Sequence, residues 1–212
     1  MLEFREVSYQ SNNKTIIQNI NVKIEHKDFV TICGPSGSGK STFLKLCCHL
    51  ICPTGGEIYY NGQNFMDYCP IELRSNIGFC SQSPILFGNI VMDNLSYPFS
   101  IRKLPVKAEL IKSLLDTFGL SEEILQQDIM RLSGGEKQRI ALIRTLLLNP
   151  KVLLLDEVTS ALDIHNTEIV ERVIKKLNRE GTTIIWVTHS QEQSKRIATH
   201  MFEIHNGCLT ST

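Results

Sequence analysis

The 212-residue chain has no apolar run that approaches the ~20 residues of a bilayer-spanning helix. Its first residues, MLEFREVSYQ, mix charged and apolar positions, so we expect no secretory signal there. The charges are balanced, with 22 lysines and arginines against 22 aspartates and glutamates, which gives no general attraction to nucleic acid or anionic lipid. We therefore expect a cytoplasmic chain that binds no nucleic acid and reaches a membrane only through a partner.

The seven cysteines lack the paired CxxC spacing of zinc sites. Free thiols are the expectation for a cytoplasmic chain with an odd number of cysteines. The cluster CCHLIC contains metal-binding residue types at Cys47, Cys48, His49 and Cys52. On the helix that we predict there, cysteine acts as a small hydrophobic side chain, and we favour core packing over a metal site.

Strands alternate with helices along the chain. LEFREVSY and NINVKIEH alternate apolar and polar positions, as half-buried antiparallel strands do, and GEIYYNG and IGFCSQ indicate further strands. The unbroken apolar runs in FVTIC, VLLLDE and TTIIWVTH indicate strands that are buried on both faces. We expect helices from Gly39 to Leu50 and from Glu168 to Arg179, the second ended by Gly181. This order predicts an α/β fold with a mostly parallel sheet and an appended N-terminal antiparallel β-subdomain.

Between about residues 83 and 135 the pattern becomes helical and irregular, and prolines 98 and 105 are predicted to break helices. We expect this segment to form a helical subdomain inserted into one domain over residues 1–212.

The segment GPSGSGKS fits the GxxxxGK[ST] pattern and lies between a predicted buried strand and a predicted helix. Its glycines allow backbone N–H groups to surround a β-phosphate, Lys40 supplies charge to the β- and γ-phosphates, and the Ser41 hydroxyl can bind Mg²⁺. The predicted nucleotide-binding residues are Gly34, Pro35, Ser36, Gly37, Ser38, Gly39, Lys40, Ser41 and Thr42.

Other polar residues follow predicted buried strands, and the carboxyl ends of parallel strands meet at one edge of a sheet. Asp156 is placed to hold Mg²⁺, and Glu157 to polarise the water that attacks the γ-phosphate. Gln82 and His189 also follow strands, where an amide and an imidazole can sense the γ-phosphate and the water. A histidine taken alone is more often structural, but its position at a strand end favours the functional interpretation.

The segment LSGGEKQR also predicts a phosphate site, with an N-cap serine, two glycines and the positive end of a helix. One chain cannot easily fold two anion sites around a single triphosphate. A two-fold dimer instead brings the second site of each copy to the first site of the other.

Together these residues resemble the ATP-binding subunit of ABC transporters over essentially the whole chain. GPSGSGKS is similar to the Walker A motif, VLLLDE to the Walker B motif with its catalytic glutamate, Gln82 to the Q-loop and His189 to the switch histidine. Tyr9 resembles the aromatic residue that stacks on adenine. The family signature is matched by LSGGE, which comprises Leu132, Ser133, Gly134, Gly135 and Glu136, although the family usually has glutamine at the last position. The D-loop is matched by SALD, which comprises Ser160, Ala161, Leu162 and Asp163.

The resemblance implies ATP and Mg²⁺ as cofactors, with Ser41, Gln82 and Asp156 at the metal and Glu157, His189 and Gln82 in catalysis. It implies that a second copy packs head to tail, so that each signature acts in trans on the other copy's nucleotide. It also implies a separate multi-span permease subunit and a location at the cytoplasmic face of a bacterial membrane. SPILFGNIVMDNLSYPFSIR and DEVTSALD resemble most closely the ATP-binding subunits of a small bacterial group that is associated with iron export.

Other functions remain open. An importer subunit for another small solute would carry the same motifs. ABC-type heads that act on DNA contain long coiled coils, and those that act on ribosomes carry two tandem copies; neither feature occurs in this sequence. A scaffold that binds nucleotide without hydrolysis is disfavoured by Glu157 and His189.

A run of apolar residues follows Gln82 in the helical segment. A small subdomain buries a limited fraction of its surface, so we expect an exposed patch that binds the permease, against the alternative that the run is only the core of the subdomain. The residues are Ile85, Leu86, Phe87, Ile90, Val91, Leu95, Tyr97 and Phe99.

Overall fold

The computed structural model describes residues 1–211, which form two β-sheets with helices around them. The strands are β1 (Leu2–Ser11), β2 (Lys14–Ile24), β3 (Phe29–Cys33), β4 (Gly55–Tyr60), β5 (Gln63–Asn64), β6 (Ile77–Cys80), β7 (Val152–Asp156), β8 (Thr183–Val187), β9 (His200–His205) and β10 (Cys208–Ser211). The helices are α1 (Lys40–Cys47), α2 (Pro70–Asn76), α3 (Val91–Ser100), α4 (Ala108–Thr117), α5 (Gly134–Leu146), α6 (Ile164–Arg179) and α7 (Gln191–Ile197). Short 3₁₀ turns cover Phe65–Asp67, Glu122–Gln126 and Ile129–Arg131.

The central sheet has the strand order β10-β9-β3-β8-β7-β6. All neighbouring strands run parallel except β10, which pairs antiparallel with β9 at the edge. In β7, Leu153 and Leu155 pack into one hydrophobic core and Leu154 packs into the other. Both faces of the strand are therefore covered, which explains its unbroken apolar sequence. The predicted α/β fold with a mostly parallel sheet is confirmed.

The N-terminal sheet is antiparallel and has the order β2-β1-β4-β5. Its apolar face packs on α1, where the rings of Phe4 and Phe43 stack with centroids 4.9 Å apart. This sheet and α1 share one hydrophobic core with the adjacent face of the central sheet. The sheet thus holds the N-terminal hairpin beside the start of α1.

The segment between β6 and α5 contains α3, α4 and two of the 3₁₀ turns. Pro98 lies inside α3 and does not break it, so that sequence expectation was wrong. The proline removes one backbone bond, from its own position to the Asn94 carbonyl, and the burial of its ring offsets this loss. The helix end beyond it is still closed by bonds from the Ile101 N–H to the Tyr97 carbonyl and from the Arg102 N–H to the Phe99 carbonyl. Pro105 lies between α3 and α4, as expected. No helix within residues 1–211 is long and apolar enough to cross a membrane.

The apolar run after Gln82 divides between surface and core. Ile85, Phe87 and Tyr97 are exposed, whereas Val91 and Leu95 are fully buried. Phe99 is also buried, and Leu86 packs against the core as a half-buried side chain. The expected exposed patch is therefore present but smaller than the sequence suggested, because α3 turns one face toward α5.

Two helix boundaries differ from the sequence expectation. Helix α1 ends at Cys47 rather than Leu50, because His49 adopts a left-handed backbone with φ of 54°. Helix α6 begins at Ile164, four residues before the expected start, because an Asp163 carboxylate oxygen accepts the Asn166 backbone N–H at 2.7 Å and caps the helix.

The cysteines of CCHLIC have different environments. Cys47 and Cys48 are buried in the core, and burial raises the pKa of the Cys48 thiol to about 11. The exposed Cys52 sulfur lies 3.4 Å from the Nε2 atom of His49. The first two cysteines thus act as hydrophobic side chains, as expected.

Candidate active site

GPSGSGKS forms the loop between β3 and α1. Gly37 and Gly39 adopt left-handed backbones, with φ angles of 76° and 110°. A Cβ atom on Gly39 would lie 2.8 Å from the carbonyl oxygen of Ile16, so a larger residue does not fit without a shift of β2. Left-handed turns of this kind create backbone concavities that bind anions, and the first turn of α1 adds the positive end of its dipole. The loop is therefore shaped as a phosphate site.

The Lys40 side chain is folded back into this loop. Its ammonium group donates to the carbonyl oxygens of Gly34 and Pro35 at 2.9 Å each, and the residue is only 5% exposed. These two bonds hold the charge at the wall of the cavity. A phosphate that enters the loop therefore meets a cation that is already positioned.

Asp156, at the end of β7, is also only 5% exposed. One of its carboxylate oxygens, Oδ1, has no hydrogen-bond partner within residues 1–211. Burial raises the pKa of the Asp156 carboxyl, and the nearby Ser41 hydroxyl opposes this rise. An unpartnered buried carboxylate oxygen near a hydroxyl fits a hard divalent cation such as Mg²⁺.

Three predicted catalytic residues meet at the Glu157 carboxylate. Its Oε1 atom lies 2.7 Å from His189 Nε2, and its Oε2 atom accepts from the Gln82 amide at 2.7 Å. Glu157 has a left-handed backbone with φ of 50°, and its N–H donates to the Val187 carbonyl at 3.0 Å. Left-handed backbone in a residue other than glycine costs on the order of 1–3 kcal/mol and is often found at functional sites. The loops after β6, β7 and β8 thus converge as the parallel sheet predicts.

A cavity of about 610 Å³ connects these groups. Gln82, Glu157 and His189 line it together with the phosphate loop, and its size suits a small-molecule ligand. Sequence reasoning missed two parts of its wall: the start of β2, with Lys14, Thr15 and Ile16, and the turn at Asn206 and Gly207. The Asn-Gly pair signals a hairpin turn, but only the position of β9 beside β3 brings that turn to the cavity.

Tyr9 lies half-buried in β1, opposite Ile17 of β2. Its ring packs against the core of the N-terminal sheet, and it is not among the described residues that line the cavity. The neighbouring residues 14–16 on β2 do line the cavity. The predicted contact of Tyr9 with adenine remains a prediction.

The LSGGE segment forms a capped helix start outside the described lining of that cavity. The Ser133 hydroxyl accepts the Glu136 backbone N–H at 3.2 Å, and Glu136 Oε2 accepts both the Ser133 N–H and its hydroxyl at 2.8 Å. These bonds lower the pKa of the Glu136 carboxyl. Ser133 and Gly134 are exposed, and a Cβ atom on Gly134 would meet nothing within 4 Å. The start of α5 is therefore open to a ligand from outside the chain.

SALD follows Glu157 and leads into α6. A Cβ atom on Gly135 would lie 3.2 Å from a methyl group of Leu162, so the signature and this loop are neighbours. The Asp163 carboxylate caps α6, and its bonds to Asn166 lower the pKa of the Asp163 carboxyl. Ser160 and Ala161 are exposed on the same loop.

Comparison with known proteins adds independent evidence. Residues 17–160 match the family model described as "ABC transporter". The chain is 42% identical to the "Probable iron export ATP-binding protein FetA" of Escherichia coli (strain K12), over 91% of this chain and 86% of that protein. It is 34% identical to the "Spermidine/putrescine import ATP-binding protein PotA" of Borrelia garinii subsp. bavariensis, over 99% of this chain and 61% of that protein.

A solved structure has the same fold. It is the dimeric post-hydrolysis state of the ATP-binding cassette MJ0796 bound to ADP and Pi, with a TM-score of 0.90 and 30% identity. The match covers 100% of this chain and 98% of that chain.

Proposed function

The chain belongs to the ABC transporter family and is an ATPase, and from this premise we propose that two copies pair head to tail and power a separate multi-span membrane permease. The observation that carries the proposal is the meeting of Gln82, Glu157 and His189 at the wall of the phosphate-loop cavity. That arrangement combines a triphosphate site with a positioned base, which hydrolysis requires and simple binding does not.

ATP binds with its phosphates in the loop from Gly34 to Thr42 and its adenine toward the N-terminal hairpin, near Tyr9. The ammonium of Lys40, already held at the cavity wall, neutralises the β- and γ-phosphates. Because this charge is buried and fixed by the loop carbonyls, its attraction to phosphate is stronger than that of an exposed lysine.

Mg²⁺ would be held by Ser41 and Asp156, with the amide oxygen of Gln82 as a further ligand. When bound, the ion would neutralise negative charge on the phosphate oxygens. The unpartnered Oδ1 of Asp156 supports this assignment, because a buried carboxylate oxygen without a donor otherwise costs stability.

Glu157 acts as the general base that polarises the attacking water. Its two oxygens are held by His189 and Gln82, which orient the carboxylate toward the cavity. As a water approaches the γ-phosphate, Glu157 accepts its hydrogen bond, and His189 remains as a donor toward the phosphate oxygens. Gln82 links this event to the surface segment that follows it.

The second copy completes each site. Ser133, Gly134 and Gly135 lie at the exposed start of α5, where backbone N–H groups and the helix dipole favour the γ-phosphate of the other copy. The dimeric state of the MJ0796 cassette supports this pairing. The adjacent loop from Ser160 to Asp163 then lies at the same dimer interface.

The permease binds a groove beside α3, which has a volume of about 330 Å³ and mostly apolar walls. Arg74, Arg102 and Arg144 are among its lining residues, and within residues 1–211 none of these arginines pairs with a carboxylate. An apolar segment that carries acidic side chains fits this charge pattern. Phe87 and Tyr97 extend the apolar surface, with their ring centroids 4.5 Å apart.

Iron export is the transport function that we propose, because the relative at 42% identity carries that description. The polyamine import description of the relative at 34% identity supports the second candidate, an importer for another small solute. In either case the chain would lie at the cytoplasmic face of a bacterial membrane and be held there by the permease.

Transport in reconstituted vesicles tests the proposal. The chain and a multi-span membrane protein that co-purifies with it are placed in proteoliposomes, and ATP-driven movement of Fe²⁺ is measured against spermidine and phosphate. We expect Fe²⁺ transport that stops with Glu157→Gln. Transport of another solute would retain the ATPase role and reject iron, whereas unchanged transport by Glu157→Gln would reject the catalytic assignment.

A further inference from the structure

A buried polar cluster lies behind the catalytic residues and belongs to none of the sequence motifs. Its centre is Gln193 of α7, which is only 5% exposed. The Gln193 amide oxygen accepts the Thr188 hydroxyl at 2.6 Å, and the amide nitrogen donates to the Thr159 hydroxyl at 3.2 Å. The nitrogen also donates to a Glu171 carboxylate oxygen at 2.9 Å.

The cluster is anchored on α6. Glu171 is 5% exposed and receives two bonds from the Arg196 guanidinium, at 2.6 and 3.1 Å, besides the bond from Gln193. A carboxylate that is held by this many donors is rigid, and it fixes the orientation of the Gln193 amide. The amide in turn presents one acceptor and one donor to two different loops.

Those two loops carry the catalytic pair. Thr188 directly precedes His189, and its hydroxyl also accepts the Ser190 N–H at 3.1 Å. Thr159 lies two residues after Glu157. Gln193 and residues of both loops, among them Glu157 and His189, line a cavity of about 260 Å³. The Gln193 side chain therefore spans the two loops on the side away from the phosphate loop.

We propose that Gln193 is a positioning residue for ATP hydrolysis, which holds the Glu157 loop and the His189 loop at the spacing that their 2.7 Å contact requires. The proposal rests on the proposed catalytic role of Glu157. Gln193 is not among the described residues that line the phosphate-loop cavity, so it acts on hydrolysis through the two loops that it bonds. Its loss should move the catalytic pair apart and leave the phosphate loop and nucleotide binding unchanged.

The test compares Gln193→Met with Gln191→Met, which makes the same change at an exposed position of α7. Methionine keeps the length of the side chain but lacks both the donor and the acceptor, and the Glu171–Arg196 pair remains to support the fold. We expect kcat to fall about 10- to 100-fold, as small misplacements of catalytic groups do, while the Kd for ATP changes less than about twofold. Gln191→Met should behave as wild type in both measurements.

A double-variant cycle separates positioning from general loosening. Thr188→Val removes the shared hydrogen bond from the other side, together with the contact to the Ser190 N–H, so the combination with Gln193→Met should lower kcat by clearly less than the product of the two single losses. Thermal unfolding identifies a temperature at which every variant is folded, and the kinetics are measured there.

Three outcomes would overturn the proposal: an unchanged kcat in Gln193→Met, an ATP affinity that falls in parallel with kcat, or fully multiplicative losses in the double variant. Glu157→Gln is assayed alongside. If that variant kept the wild-type rate, the catalytic assignment itself would fail, which is a different result from failure of Gln193→Met alone.

Discussion

Lys40 is the single residue on which nucleotide binding should depend most, because its ammonium group is the only lysine charge held inside the phosphate loop among the described residues. We expect Lys40→Ala to lower ATP turnover by about 100-fold or more, since a fixed charge at the β- and γ-phosphates is lost. Steady-state ATPase activity and ATP binding measure the effect. Lys151→Ala removes an exposed lysine at the opposite end of β7 and serves as the matched control. Wild-type turnover by Lys40→Ala would contradict the assignment of the loop.

The Asp156 carboxylate is the proposed Mg²⁺ ligand, and its burial lowers the stability of the folded chain. Burial raises the pKa of this carboxyl in the folded state above its usual range, so the charged form opposes folding at neutral pH, and this cost disappears as the pH falls below the pKa of the unfolded chain. We expect Asp156→Asn without Mg²⁺ to unfold a few degrees above the wild type at pH 7, with the difference shrinking toward pH 4. The same variant should lose Mg²⁺-dependent ATP binding.

Thermal unfolding between pH 4 and pH 8 checks this dependence. Asp116→Asn, at an exposed position of α4, is the control and should show no such trend. A lower unfolding temperature for Asp156→Asn at pH 7 would mean that the carboxylate stabilises the fold through a contact that outweighs its burial.

Among the elements, the buried strands were predictable and the insertion was less so. FVTIC and VLLLDE are apolar because the sheet is covered on both faces, and this pattern is local enough to read from the sequence. The ends of the parallel strands then predicted that Gln82, Glu157 and His189 lie at one edge of the central sheet. The Gln193 cluster could not be predicted, because two of its members, Thr159 and Glu171, are 34 and 22 residues away in sequence, and polar residues show no periodic pattern.

The boundaries of the helices depended on side-chain contacts that the sequence shows only weakly. Pro98 predicted a break, but α3 continues past it, because the burial of the proline ring offsets the one backbone bond that is lost. The early start of α6 follows from the Asp163 cap. The Asn-Gly turn that closes the cavity signals a hairpin, but its place in the fold depends on strand order.

The groove beside α3 leads to a prediction about where the permease docks. Leu86 packs against the core, so a charge there would test the stability of the fold. Phe87 is exposed, so a charge at this position tests docking instead. We expect Phe87→Glu to remain folded and bind ATP but to lose co-purification with the permease, because a carboxylate there repels an acidic partner segment and is poorly solvated in an apolar contact.

Co-purification from membranes, with ATP binding measured in parallel, checks this expectation. Met66→Glu places the same charge on an exposed apolar residue outside the groove and should co-purify normally. A Phe87→Glu chain that co-purifies at the wild-type ratio would exclude this surface as the docking site.

For the whole molecule, the exposed start of α5 predicts assembly that depends on ATP. Glu157→Gln keeps the volume of the side chain but cannot accept a proton from water, so ATP should accumulate in closed pairs of doubled mass. Adding Ser133→Arg should disperse these pairs, because a bulky side chain then blocks the γ-phosphate of the other copy. Light scattering coupled to size-exclusion chromatography measures both states.

Lys137→Arg, on the first turns of α5 beyond the signature, is the control for the added arginine. If Glu157→Gln with Ser133→Arg formed pairs as readily as Glu157→Gln alone, the signature would not act across the interface.

The position of Cys208 has a practical consequence for measurement. It is exposed and directly follows Gly207, which lines the nucleotide cavity, whereas burial raises the pKa of Cys48 to about 11 and of Cys80 to about 12. A maleimide dye reacts with the thiolate form of accessible thiols, so these buried cysteines should stay unlabelled. After the half-buried Cys33 and the exposed Cys52 and Cys69 are replaced by serine, a fluorophore on Cys208 would lie beside the mouth of the cavity. The chain thus carries a native attachment point from which nucleotide entry can be followed by fluorescence, without an introduced cysteine.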